Sequence, residues 1–151
     1  MALLPPGQTT LLVITAPTNP IVPLFAARGI KQTLEPIRAA QSMRRTINGA
    51  LDDLSMPQFR KYDSTVSFDD QRPLALDGIW PGQTVTVSCV AELSYLTAGG
   101  TPERPVVSGS SYTEGAFTFY RPILTMRVRP WQTDTGEYTA SVRSKLELEE
   151  I

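Results

Sequence analysis

The stretch Gln83-Thr-Val-Thr-Val-Ser-Cys-Val-Ala-Glu-Leu-Ser-Tyr-Leu96 decides the fold. Val85, Val87, Cys89, Ala91 and Leu93 recur at every second position, with Thr84, Thr86, Ser88 and Glu92 between them. A period of two puts one set on each face of a strand. One apolar and one polar face is the pattern of a half-buried antiparallel sheet. Just upstream, Asp77-Gly78 and Pro81-Gly82 bracket Ile79-Trp80 and predict two close turns, with Trp80 as a core plug beside them.

The same period recurs on both sides. Ile30, Gln32 and Leu34 alternate with Lys31, Thr33 and Glu35 over Gly29–Ile37. Residues 58–68 place Tyr62, Ser64, Val66 and Phe68 on one face, and Asp69-Asp70-Gln71-Arg72-Pro73 breaks that strand. Between these two runs, Asn48-Gly49 separates residues 43–47 from 50–54. Asn-Gly predicts a two-residue type I′ hairpin, because both central residues need positive φ. Ala, Met, Arg and Leu over 38–54 favour a competing helix, against which Asn48-Gly49 argues.

Downstream, residues 97–115 are rich in Gly, Ser and Pro and read as a long loop, of a length that is usually functional or disordered. Phe117 and Phe119 open a strand that Pro122 interrupts. Leu124, Met126 and Val128 continue it on one face, with Arg127 and Arg129 on the other. A turn is expected over Pro130-Trp131 and Asp134-Thr-Gly136. The last strand sets Tyr138, Ala140, Val142, Leu146 and Leu148 against Arg143, Lys145, Glu147 and Glu149. Seven to nine strands with regular turns predict an all-β fold, an antiparallel β-sandwich or small β-barrel.

Residues 1–23 are expected to form an extended N-terminal arm, with a single β domain over 24–151. Thr9–Thr15 is strand-like, and Pro17, Pro20 and Pro23 favour extended chain. That strand either opens the domain or pairs with a neighbouring subunit. The assembly-contact candidates are apolar or aromatic residues in loop-like sequence: Leu11, Val13, Ile14 and Ile21 in the arm, and Val106, Val107 and Tyr112 in the long loop.

Composition narrows the chemistry. The 151 residues are one domain's worth, and 14 Lys+Arg against 15 Asp+Glu give a net charge of −1. That balance supplies no field for specific nucleic-acid binding or for an anionic membrane. Histidine is absent and Cys89 is the one cysteine, which excludes intrachain disulfides, Cys/His zinc sites and histidine-based catalysis. No apolar run approaches the roughly 20 residues of a membrane span. The start, Met1-Ala-Leu-Leu-Pro-Pro, carries no charged n-region of a signal peptide, so synthesis in a cytoplasm is expected.

No dinucleotide fingerprint, Walker loop or nucleophile elbow is present. Asp52-Asp53 and Asp69-Asp70 read as solvated turn residues, since adjacent carboxylates in a strand point apart and no calcium-loop pattern surrounds them. Cys89, among apolar neighbours, reads as a buried inert thiol. Arg44, Arg60, Arg127 and Arg129 are either ordinary surface charge or the lining of a common surface such as a tube lumen. No catalytic, cofactor or metal site is expected, and an enzyme is not.

Several phrases carry a family resemblance over residues 24–150. They are Ala27-Arg-Gly-Ile-Lys-Gln-Thr-Leu-Glu-Pro-Ile37, Met43-Arg-Arg-Thr-Ile-Asn-Gly49, Pro57-Gln-Phe-Arg-Lys-Tyr62, Leu76–Leu93, Thr118-Phe-Tyr-Arg-Pro122 and Leu146-Glu-Leu-Glu-Glu150. Together they resemble a small virion protein of tailed bacteriophages. The resemblance implies a non-enzymatic structural subunit, a homo-oligomeric ring of the tail or tail tip that joins tube to tip. Its expected partners are copies of itself and other tail proteins, with at most passive lumen contact with passing DNA. Its expected location is the virion tail, assembled in the host cytoplasm. A tail-tube, neck or capsid-decorating position is the alternative within that class. A carbohydrate-binding module for host recognition is the alternative outside it, using Tyr95, Tyr112, Tyr120 and Trp131.

Overall fold

The computed structural model describes residues 11–16, 19–21, 29–138 and 140–151. Its fold is all-β and antiparallel. The strands are β1 (Val13–Ala16), β2 (Asn19–Pro20), β3 (Lys31–Pro36), β4 (Met43–Arg45), β5 (Leu51–Asp53), β6 (Tyr62–Asp70), β7 (Thr84–Ser88), β8 (Leu93–Leu96), β9 (Tyr112–Glu114), β10 (Phe117–Tyr120), β11 (Ile123–Thr135) and β12 (Val142–Glu150). A seven-stranded sheet runs β2-β1-β7-β11-β12-β6-β3. A three-stranded sheet runs β8-β10-β9, and β4 pairs with β5 alone.

The large sheet is built by alternation. Val85 and Val87, Leu124, Met126 and Val128, Leu146 and Leu148, and Val66 and Phe68 all point to one side and are buried. Thr84, Thr86, Arg127, Arg143 and Lys145 point to the other side and are exposed. Leu74 and Leu76, from the connection between β6 and β7, join the same core. So does the apolar part of the expected arm. Leu12, Ile14, Ala16 and Ile21 are buried there, and β1 pairs with β7 through Val13↔Ser88, Ile14↔Val87 and Thr15↔Thr86. The described part of residues 1–23 is therefore a strand of this domain; the rest of the expected arm lies outside the described residues.

The strand expected over 83–96 is two strands in two sheets. At Cys89 the chain leaves the ladder, because the backbone N–H groups of Val90 and Ala91 donate to the side-chain carbonyl of Gln32, at 2.7 and 3.2 Å. The Gln32 amide donates in turn to Ser64 Oγ at 3.1 Å. Gln32 sits on β3, four strands from β7 in the sheet order. A flat sheet would hold those strands about 19 Å apart. The sheet and the chain leaving β7 therefore close over the apolar face between them, and Gln32 is the clasp. Gln32→Ala leaves two partly buried donors and the Ser64 hydroxyl without that partner. It is expected to cost about 1–3 kcal/mol in denaturant unfolding.

Other boundaries differ from the sequence reading for identifiable reasons. Pro130-Trp131 is a bulge and not a turn: the register passes from Val128↔Leu148 to Trp131↔Leu146, with two residues on β11 opposite one on β12. Proline is tolerated there because a bulge requires no ladder donor. The turn follows Thr135 instead, and Tyr138 is 93% exposed within it rather than in the core. Asp69 and Asp70 continue β6, paired with Arg143 and Val142, and Asp70 is buried while accepting the Gln71 N–H at 2.8 Å. Trp80 is 71% exposed and plugs nothing. Trp131 does pack against the core, its indole N–H donating to Ile79 O at 2.9 Å.

Candidate assembly surface

The insertion between β3 and β6 is the most conspicuous surface feature. Residues 43–54 are exposed without exception. β4 and β5 pair through Met43↔Asp53, Arg44↔Asp52 and Arg45↔Leu51, and neither belongs to another sheet. The hairpin is as expected, but its turn is not the two-residue type I′. The Gly49 N–H donates to Thr46 O at 2.9 Å and the Thr46 N–H to Ala50 O at 2.8 Å. Three residues thus cross the tip, and Gly49, at φ 81°, occupies the left-handed region. At the base, the Ile37 N–H donates to Lys61 O, and the short 3-10 turns Arg38–Ala40 and Pro57–Phe59 lie against each other.

This insertion carries apolar side chains where a solvated hairpin would carry polar ones. Met43, Leu51, Leu54 and Met56 are each more than half exposed, Phe59 nearly so, and Ile47 projects fully from the tip. An isolated two-stranded hairpin is marginal in water, and a contiguous apolar patch marks an interaction site. Asp52 and Asp53 lie in β5 as solvated strand residues rather than turn residues. Asp53 accepts the Ser55 N–H at 2.9 Å, and hydrogen bonding with the Ser55 side chain, followed by that backbone bond, holds its carboxyl below the usual range.

A second apolar surface lies on the three-stranded sheet, whose faces are inverted relative to the usual pattern. Its inner face carries hydroxyls: Thr118 is buried and bonds Thr97 at 2.8 Å and Thr113 at 3.2 Å. Buried Tyr120 completes this face, edge-on to Tyr95. The outer face carries Leu96 opposite Phe117, and Tyr112 opposite Phe119, the latter two rings stacked 5.3 Å apart. Leu96, Phe117 and Tyr112 are about half exposed. Glu92 and Glu114 stand on the same face, Glu92 accepting the Tyr112 hydroxyl at 3.1 Å, and that bond raises the phenol's pKa.

The loop 97–111 that leads to this sheet is anchored to the body. Arg104 clamps Glu150 with two bonds, Nε to Oε1 at 2.7 Å and an NH2 bond at 3.2 Å, and also donates to Arg60 O. Glu150 accepts the Tyr62 N–H at 3.0 Å, and the Arg104 guanidinium lies over the Tyr62 ring. Val106 bridges Pro122, and the Val107 N–H donates to Arg121 O. Gly100 fits beneath the sheet because it has no Cβ, which would collide with Leu96 O and the Tyr95 ring.

The seven candidate contacts fall into three groups. Ile14 and Ile21 are core residues, so they are not free to dock on a neighbour from the folded chain. Leu11, Val13, Val106 and Val107 are half-buried within the fold. Tyr112 alone stands exposed, on the outer face of the small sheet. The hairpin residues were absent from the expected set. Their sequence signal was Met43, Ile47, Leu51 and Leu54 flanking a turn, with no polar alternation to give one face to solvent.

Of the aromatics considered for sugar stacking, Tyr120 is buried, Tyr95 and Trp131 are half-buried, and only Tyr112 is exposed. Of the arginines considered as a common lining, Arg127 donates to Gly82 O at 2.8 Å, while Arg129 lies 3.4 Å from Glu149. A shallow groove on the outer face of the large sheet is lined by mixed charge, including Lys31, Asp69, Arg143 and Lys145. Among the described residues, no three or more Cys, Asp or Glu side chains are grouped to hold a metal ion, and no helix is long and apolar enough to cross a membrane.

Cys89 is fully buried, and desolvation pushes its thiol up to about 11. Since the thiolate is the reactive form, Cys89 is expected to resist a disulfide reagent at pH 8 and to react fully once the chain is unfolded. Fast labelling of the native protein would contradict its burial.

No protein-family model, curated protein or solved structure matches this chain.

Proposed function

We propose that the protein is a non-enzymatic structural subunit of a bacteriophage virion, which assembles with copies of itself into a ring of the tail or tail tip. The observation that carries the self-assembly is the hairpin at residues 43–54, exposed along its whole length and apolar at Met43, Ile47, Leu51 and Leu54. A soluble chain gains nothing from holding such residues in water, whereas burial against a neighbour stabilises each by about 1.5–3 kcal/mol when complete. The particle and its tail are the contribution of the sequence resemblance over residues 24–150.

Two features support a rigid ring subunit. The closed core and the Gln32 clasp fix the body, so assembly need not order it. The edge strand β3 bears Lys31 and Glu35 and ends at Pro36, features that oppose uncontrolled edge pairing and leave contacts to the projecting elements. The test is to label phage particles that encode this chain with an antibody against it, and to image them by electron microscopy. Label confined to the tail is the expected result. Particles free of the protein would overturn the virion reading.

A further inference from the structure

The insertion between β3 and β6 is held to the body at few points. None of residues 38–60 is buried, and none joins the core. Its neck is the bond from the Ile37 N–H to Lys61 O. Among the described residues, one hydrogen bond ties residues 38–60 to an element beyond that neck, from Arg104 Nη2 to Arg60 O at 2.9 Å. We infer that Arg104 is a positioning residue that sets the angle at which the hairpin projects. With its clamp closed the insertion is locked to the body; with the clamp open it pivots about Ile37 and Lys61.

The same guanidinium fixes both neighbours of Lys61. It bonds Arg60 O on one side, and on the other it lies 5.3 Å over the Tyr62 ring and grips Glu150, which accepts the Tyr62 N–H. The grip is two-pronged, through Nε at 2.7 Å and Nη2 at 3.2 Å, a geometry that fixes direction as well as distance. The pair is sheltered, with the Arg104 side chain 18% and the Glu150 side chain 9% exposed, so solvent screens it less than an open surface pair. Arg104 is itself firmly mounted. Pro105 O accepts the Ile123 N–H at 2.8 Å, and the Val107 N–H donates to Arg121 O at 2.9 Å, which ties this part of the loop to the junction of β10 and β11. The long loop therefore governs the hairpin across 44 residues of sequence, and displacing the loop frees the hairpin.

Pulsed electron resonance between two nitroxide labels tests this on the full chain. One label replaces Ile47 at the hairpin tip (Ile47→Cys), and the other replaces Thr84 on the exposed face of β7 (Thr84→Cys); Cys89 is buried and stays unlabelled. Leu51→Asp is carried throughout, so that contacts between copies do not fix the hairpin and the result is independent of self-assembly. With Arg104 present, a narrow distance distribution is expected. Arg104→Gln is expected to broaden it and shift its mean, while a control pair within the large sheet, Thr84→Cys with Arg143→Cys, stays narrow. Arg104→Lys keeps the charge without the planar fork; it is read in the same way and decides the matter if Arg104→Gln does not fold. A hairpin distribution that is already broad with Arg104 present, or one that stays narrow without it, would overturn the inference. So would broadening of the control pair, which would make Arg104 a support of the whole body and not of the hairpin's angle.

Discussion

Replacing both Ile47 and Leu51 with aspartate is expected to abolish self-association while leaving the folded subunit intact. Both side chains are exposed in the single chain, Ile47 completely and Leu51 by 54%. Neither touches the core, so the melting temperature should move little, as for surface substitutions generally, within about 0.5 kcal/mol. In an assembled contact each contributes apolar burial of about 1.5–3 kcal/mol, and a buried aspartate adds desolvation cost. Losing both weakens each contact by at least about 100-fold. Sedimentation velocity of the variant beside the unaltered protein reads this directly. Equal sedimentation of the two as oligomers would exclude the hairpin from the contact.

The opposite separation is expected from the core. Leu146 is fully buried on β12, opposite Trp131 and Val66 in the ladders with β11 and β6. Its inner face packs among strands from both halves of the chain, which leaves little room for collapse. Leu146→Ala is expected to cost about 2–5 kcal/mol in chemical unfolding. That is a large fraction of the stability of an ordinary domain. Assembly should follow only through the loss of folded protein. A loss under about 1 kcal/mol would show that the site repacks and that the core is looser than its burial implies.

These two substitutions mark where sequence reading succeeds and where it stops. Strands facing one core were legible because their period is two and their outer positions are polar: Val85 and Val87, Leu124, Met126 and Val128, and Leu146 and Leu148 are all buried as the alternation required. The end of such a run was not legible. Alternation continues from Val87 through Leu93, yet the chain changes sheets at Cys89, because the Gln32 side chain, 58 and 59 residues earlier, supplies the partner of the Val90 and Ala91 N–H groups. The Pro130-Trp131 bulge is similar: proline signals an interruption without saying whether the strand ends or merely skips a residue.

The candidate surface was legible only in part. Asn48-Gly49 correctly marked a hairpin, although the turn is longer by one residue. What periodicity omits is which apolar residues have a core to join. Ile14 and Ile47 look alike in sequence; one lies against Val87 in the large sheet and the other projects into solvent. The small sheet departs from the rule at its centre, with Thr118 inside and Phe117 outside. Such a departure becomes visible only when the partner strands are known.

Self-association is the central claim, and the mass of the purified full-length chain tests it most directly. Size-exclusion chromatography with multi-angle light scattering across a concentration series is expected to show a discrete oligomer several times the 16.6 kDa subunit mass, with closed rings in negative-stain images. A mass that stays at 16.6 kDa at every concentration would contradict it.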